Sequence, residues 1–176
     1  MVKEVTLLDV FTKYRKTQLF GMSEITRSVI EWYKRKYPEK WAQGFRPYPA
    51  GGHTGIDYGM NWQPVYAAHG GFVVQDDDID QSAKGVHAVI VDPKQLIATH
   101  YYHLENNCVK LQQEVLPGQF IGWSGNTGLS DGAHLHFGLC YVDGVHWTRL
   151  NMDNGTNGFI DPLGKNVKWV DKWPGN

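Results

Sequence analysis

Apolar positions change their spacing near residue 49. Before it, Ile25, Val29, Ile30 and Tyr33 recur every three to four residues, and Ser23 stands ahead of them with Glu24 behind it. A serine N-cap, an acidic first turn and Pro38 closing the run predict a helix over residues 24–36. A second short helix is expected between Val5 and Tyr14. Thr17-Gln18-Leu19-Phe20-Gly21 reads as a short strand ended by glycine. After residue 49 the texture is β. Phe72-Val73-Val74, Ala88-Val89-Ile90-Val91, Leu96 to Leu104, Phe120-Ile121-Gly122-Trp123 and Leu135 to Val142 are apolar or alternating runs separated by Gly, Pro, Asn and Asp.

The pattern predicts a mainly β fold (a β-rich α+β chain) with an antiparallel β-sheet or sandwich core bearing a groove, plus an N-terminal helical segment. Three stretches follow: residues 1–48, helical with a short leading strand; residues 49–165, the β core; and residues 166–176, a tail whose Trp169, Trp173 and Pro174 either pack back or lead into a linker. A chain of 176 residues fits one domain. Its 20 glycines favour turns and short strands. A net charge of -1 gives no sign of nucleic-acid binding. No run of about 18 apolar residues exists, so no membrane span is expected. Met1-Val2-Lys3-Glu4-Val5-Thr6 does not open a signal peptide, which implies synthesis in a cytoplasm.

Cys108 and Cys140 are too few for a disulfide framework or a thiolate zinc site. The 8 histidines direct attention elsewhere. Gly51-Gly52-His53-Thr54-Gly55-Ile56-Asp57-Tyr58-Gly59 is too rich in glycine for a helix, yet a turn running into a strand can bring His53 and Asp57 together. In a strand, His134 and His136 share one face, with Leu135 and Phe137 on the other. The same alternation puts His103 with Tyr101 and His100 with Tyr102, so one histidine of that segment looks into the site. Two imidazoles and a carboxylate beside glycine turns, with a spare histidine, suit a zinc ion that keeps a coordination position for water. His69, His87, His100 and His146 have no partner at ligand spacing. Tyr101 fits either a groove or the core; Trp62, Trp123 and Trp147 are assigned to core packing.

These segments resemble the lysostaphin/LytM-type zinc endopeptidases, which cut peptide bonds in bacterial peptidoglycan. The resemblance covers about residues 50–140 and rests on His53-Thr54-Gly55-Ile56-Asp57, Tyr102-His103-Leu104, and Gly125-Asn126-Thr127-Gly128 running on to His134-Leu135-His136-Phe137. Pro117-Gly118-Gln119-Phe120-Ile121-Gly122 and Pro64-Val65-Tyr66-Ala67-Ala68 fit as well, and Gln18-Leu19-Phe20-Gly21 looks like the family's leading strand. The resemblance implies one zinc ion held by His53, Asp57 and His136, with His103 and His134 as catalytic histidines in a catalytic groove. Which of the two takes the first proton is not readable from sequence. It implies a bacterial peptidoglycan peptide as substrate. The chain departs from the pattern in the helical stretch before His53 and in the acidic run Asp76-Asp77-Asp78-Ile79-Asp80.

Three other readings compete. Gly128-Leu129-Ser130-Asp131-Gly132 matches a serine nucleophile elbow, which needs a strand before it and a helix after it. Asp76, Asp78 and Asp80 resemble the start of a calcium loop, but Gln81 and His87 occupy the positions of its glycine and glutamate. A non-catalytic relative that binds peptidoglycan or activates another hydrolase is the third, and such members lack site residues present here. A wall-cutting enzyme without a signal peptide suggests a phage product, either an endolysin or a virion tail peptidase acting on the cell wall. In the virion case other phage tail proteins are its partners.

Overall fold

The computed structural model describes residues 4–11, 13–77, 82–150, 152 and 154–174. Asp78, Ile79, Asp80 and Gln81 of the acidic run lie outside the described residues, as do Met1 to Lys3, Gly175 and Asn176. Among the described residues the chain forms β1 (Val5–Leu8), β2 (Lys16–Gln18), α1 (Glu24–Lys36), α2 (Pro38–Ala42), β3 (Gly55–Tyr58), β4 (Pro64–Tyr66) and β5 (Gly71–Asp77). It continues through β6 (Val86–Asp92), β7 (Ile97–Asn107), β8 (Glu114–Val115), β9 (Phe120–Ser124), β10 (Leu135–Tyr141), β11 (Phe159–Ile160) and β12 (Val167–Val170).

The main sheet runs β2-β3-β10-β7-β6-β5-β8, with β11 on β10 and β9 between β4 and β7. Every pairing given for it is antiparallel. This is the expected mainly β architecture. β6 is buried at all seven positions, and β10 is buried on both faces along nearly its whole length. Such strands read as continuous apolar runs, which is how they stand in the sequence. On the core face Tyr101 and Phe137 pack with ring centroids 5.5 Å apart. Phe11 covers Phe137 at 5.2 Å and Trp169 covers it at 5.7 Å.

Among the described residues the expected helix between Val5 and Tyr14 is absent. Val5–Leu8 is a strand, paired in parallel with Val167–Val170, so the tail packs back on the molecule. Its burial alternates, with Val5 and Leu7 inside; two buried residues at period two fit a strand better than a helix. The leading strand also stops early, at Gln18. Gly21 then joins His53 through two backbone hydrogen bonds of 2.8 and 3.1 Å.

α1 occupies the residues the pattern predicts, and the Ser23 hydroxyl accepts from the Thr26 amide at 3.1 Å. Pro38 ends α1 and starts α2 at its first turn, where its missing N–H costs nothing. The apolar stripe of α1 does not enter the core. Ile25 is 49% exposed, whereas Val29 and Tyr33 line the groove. Core packing also fails for Trp62 and Trp123, which are 50% and 40% exposed. Trp147 packs partly buried beside a smaller cluster around Val89, Val142 and Phe159. No helix among the described residues is long and apolar enough to cross a membrane.

Candidate active site

Strand register builds the centre of the site. Gln18, Asp57, His136 and Tyr102 form one row across β2, β3, β10 and β7, because Gln18 pairs with Asp57, Asp57 with His136, and His136 with Tyr102. Residues directly opposite in a sheet share a face. His53 joins them from the turn before β3, fixed by the bridge to Gly21. The three nearest donor atoms form a compact triangle. His53 Nε2 lies 3.0 Å from His136 Nδ1 and 3.2 Å from Asp57 Oδ1, and the remaining side is 3.1 Å.

This triangle fits a zinc ion. His53 Nδ1 donates to the Leu19 carbonyl at 3.2 Å, which leaves a lone pair on Nε2 facing the Asp57 carboxylate. Two acceptors that close repel unless a proton or a metal cation lies between them. Two imidazole nitrogens and a carboxylate oxygen are a zinc donor set, and tetrahedral ligands at about 2.0–2.1 Å stand roughly 3.3 Å apart. All three residues are buried. Burial favours the neutral carboxyl of Asp57, but His53 and His136 outweigh it and hold the group well below the usual carboxylate range. Burial likewise lowers the pKa of His136, so its ring stays neutral.

His134 precedes β10 and is bridged to Gly125. Its Nδ1 donates to the Gly132 carbonyl at 2.7 Å, which leaves Nε2 as the acceptor, 3.7 Å from Asp57 Oδ1. His103 reaches the site differently from the strand expectation. Tyr101 points into the core, while Tyr102 faces the site. Simple alternation would send His103 after Tyr101. Instead His103 adopts a left-handed φ of 62° inside the register shift of β7 against β6 and just ahead of its shift against β9, and its ring turns back toward His134. The two ring centroids are 4.7 Å apart. Such a backbone costs about 1–3 kcal/mol unless neighbours enforce it. Here the His103 amide donates to Lys84 O and its carbonyl accepts from the Gly125 amide. His103 Nδ1 donates to the Thr127 carbonyl at 2.8 Å. Burial, with His134 and His136 nearby, pushes the His103 pKa down to about 3.

The Gly125-Asn126-Thr127-Gly128 run thus has a mechanical role. The Thr127 hydroxyl donates to Leu104 O and accepts from the Val86 amide, while its carbonyl aims His103. Gly128 has a φ of 73°, and a Cβ there would lie 2.3 Å from the Gly85 amide nitrogen. Sequence reasoning named Thr127 and Tyr102 within motifs but gave neither a role, and it missed Tyr48. Tyr48 lines the cavity, exchanges hydrogen bonds with the Gln18 amide and packs edge-on against His53. Burial pushes its hydroxyl up to about 12, so it stays protonated. No local pattern marks it, since its place depends on the fold of the turn before His53.

The cavity, about 460 Å³, lies between α1 with the Pro47-Tyr48 turn on one side and the Leu129–Ala133 loop on the other. Ser130 donates to Asn126 Oδ1 at 2.7 Å and sits 3.1 Å from His134 Nδ1. That nitrogen already spends its proton on Gly132, and no helix follows Ser130, so the elbow reading fails. The four unassigned histidines stay out of the cavity: His69, His87 and His100 are buried elsewhere and His146 is exposed. Asp76 accepts from the Leu111 amide.

Residues 51–149 match the profile of Peptidase family M23. The chain is 36% identical over 122 residues to the glycyl-glycine endopeptidase ALE-1 of Staphylococcus capitis, covering 66% of this chain and 32% of that protein. It is 38% identical over 88 residues to the peptidoglycan DD-endopeptidase ShyA of Vibrio cholerae, covering 49% of this chain and 20% of that one. The chain therefore spans between a fifth and a third of the length of these relatives. The catalytic domain of lysostaphin from Staphylococcus simulans superimposes with a TM-score of 0.58 and 27% identity, over 86% of this chain and 90% of that domain. With more than half its length matched to the family profile and a His53–Asp57–His136 cluster that fits one zinc ion, the chain belongs to peptidase family M23, a family of zinc peptidases.

Proposed function

We propose that the chain is a zinc-dependent endopeptidase that hydrolyses peptide bonds in bacterial peptidoglycan. His53, Asp57 and His136 hold the metal, and His103 and His134 are the catalytic residues. The observation that carries the reading is the 2.7 Å contact of His134 Nδ1 with the Gly132 carbonyl, which can only accept. With Nδ1–H committed to Gly132 O, its Nε2 lone pair stands at the rim of the ligand triangle, where a proton acceptor is required. The chemistry a bound zinc supplies is Lewis acidity toward a carbonyl oxygen and toward water. His134 accepts the proton of the attacking water and returns it to the leaving amine. His103, neutral and donating to Thr127 O, offers a second Nε2 beside it and shares that proton. Tyr48, protonated, offers a hydrogen bond to the charge that develops on the substrate carbonyl once its hydroxyl turns from Gln18 Oε1. Residues 49–165 form the catalytic body, and the helical segment within residues 1–48 supplies one wall of its groove.

The substrate class is supported by the names of the similar proteins, a glycyl-glycine endopeptidase and a peptidoglycan DD-endopeptidase. Digestion of purified peptidoglycan by the zinc-loaded chain, with mass analysis of the fragments, tests it. The reading requires new amino and carboxyl termini that vanish with a chelator and return with zinc. In its finer form the enzyme is phage-borne, an endolysin or a tail peptidase. Mass spectrometry of purified virions separates the two, since only a tail enzyme belongs to the particle.

A further inference from the structure

Three of the four site histidines are aimed by a backbone carbonyl. His53 Nδ1 donates to Leu19 O, His103 Nδ1 to Thr127 O, and His134 Nδ1 to Gly132 O. His136 is different. Its Nδ1 faces His53 and Asp57, and its Nε2 is sealed from solvent with no hydrogen-bond partner among the described residues. A metal-ligating histidine almost always fixes its ring plane by donating from the second nitrogen. Some other contact must set the plane of His136.

Tyr102 supplies that contact. It stands directly opposite His136 across β7 and β10. The two rings are parallel within 8°, with centroids 5.2 Å apart. Tyr102 is itself anchored: its hydroxyl lies 2.8 Å from His100 Nδ1, and His100 Nε2 lies 3.4 Å from Cys140 Sγ. His100 and Cys140 are buried, and Phe159 packs against the His100 ring at 4.9 Å. A phenol locked at its hydroxyl and flat on an imidazole resists rotation of both rings.

We propose that Tyr102 is a positioning residue for His136, holding its imidazole plane by stacking so that Nδ1 meets His53 and Asp57, with His100 and Cys140 locking Tyr102 from behind. The proposal rests on the reading of His136 as a zinc ligand. Removing an aiming hydrogen bond from a metal ligand typically weakens metal binding about 10–100-fold, and loss of this stack is expected to fall in the same range.

The test measures zinc affinity of the full chain by competition with a chromophoric chelator, together with the absorption spectrum of the cobalt-substituted protein. Tyr102→Leu and Tyr102→Met keep bulk but remove the flat ring, and Tyr102→Phe keeps the ring but loses the anchor. Expected are about 10–100-fold weaker zinc binding and an altered cobalt spectrum for Leu and Met, with Phe within roughly threefold of the unmodified chain. The Met variant serves if Leu fails to fold. A Leu or Met variant that melts cooperatively with unchanged affinity and spectrum would overturn the positioning role, and Phe falling as far as Leu would overturn stacking as its cause. An unmodified chain that binds no zinc would overturn the ligand reading itself, a distinguishable result.

Discussion

Asp57 and His136 face each other across the β3–β10 pairing, with the carboxylate Oδ1 3.1 Å from the imidazole Nδ1. Their separation is fixed by sheet register and not by a flexible loop, so the site is built by the same hydrogen bonds that build the fold. Replacing either by alanine is therefore expected to remove zinc while the chain still folds. Metal content after dialysis, with the far-ultraviolet circular dichroism spectrum, checks this. The expected loss of affinity exceeds about 100-fold, more than a supporting contact contributes.

His103 and His134 lie outside the triangle. His103→Ala and His134→Ala are each expected to keep stoichiometric zinc and to lower turnover by about 100- to 10,000-fold. Rate and metal content are to be measured on the same preparation. A His103 variant with near-normal turnover would remove it from the catalytic pair.

Gly55 sits against the site. A Cβ there would lie 2.4 Å from Phe137 O and 2.8 Å from His136 Nε2. Gly55→Ala must push β3 off β10 or rotate His136. It is expected to cost about 1–3 kcal/mol in urea unfolding and to weaken zinc binding as well. A variant with normal affinity would show that the ligand triangle tolerates slippage of the register.

Ser130→Ala separates the metal mechanism from the serine alternative. Ser130 touches His134 but cannot pass a proton to a nitrogen that already donates to Gly132. The expected change in turnover is within a few fold, and a serine-directed fluorophosphonate is expected to leave activity intact.

Stability is expected to fall on acidification. Burial lowers the pKa of His69 and of His100, the latter further opposed by Lys84 and Arg149. Both stay neutral in the folded chain, whereas the unfolded chain protonates them below about pH 6.5. Their stabilising contribution is therefore complete above that pH and lost as pH drops. Urea midpoints measured on both sides of that pH report it; a flat profile would mean that these rings take up protons in the fold.

The parts of this molecule that were legible in sequence are those set by local chemistry. Ser23, Glu24 and the apolar spacing announce α1, and the glycine-flanked His53 and Asp57 announce a tight turn into a strand. Nonlocal geometry was not legible. Val5–Leu8 is a strand because Val167–Val170 returns to pair with it, and nothing near Val5 encodes that partner. Strand alternation placed His103 with Tyr101, but the contacts of Lys84 and Gly125 force a left-handed residue that reverses it. Tyr48 carries no motif, and the motif that contains Tyr102 does not say what its ring does. They matter through the turn and the register that bring them to His53 and His136.

The most direct measurement of the central claim is fragment analysis of purified peptidoglycan treated with the zinc-loaded chain, the chelated chain and the His134→Ala variant. Cleavage at peptide bonds by the zinc-loaded chain alone is the result this account requires. Cleavage of glycan bonds, or peptide cleavage at an undiminished rate in the chelated chain or in the variant, would contradict it.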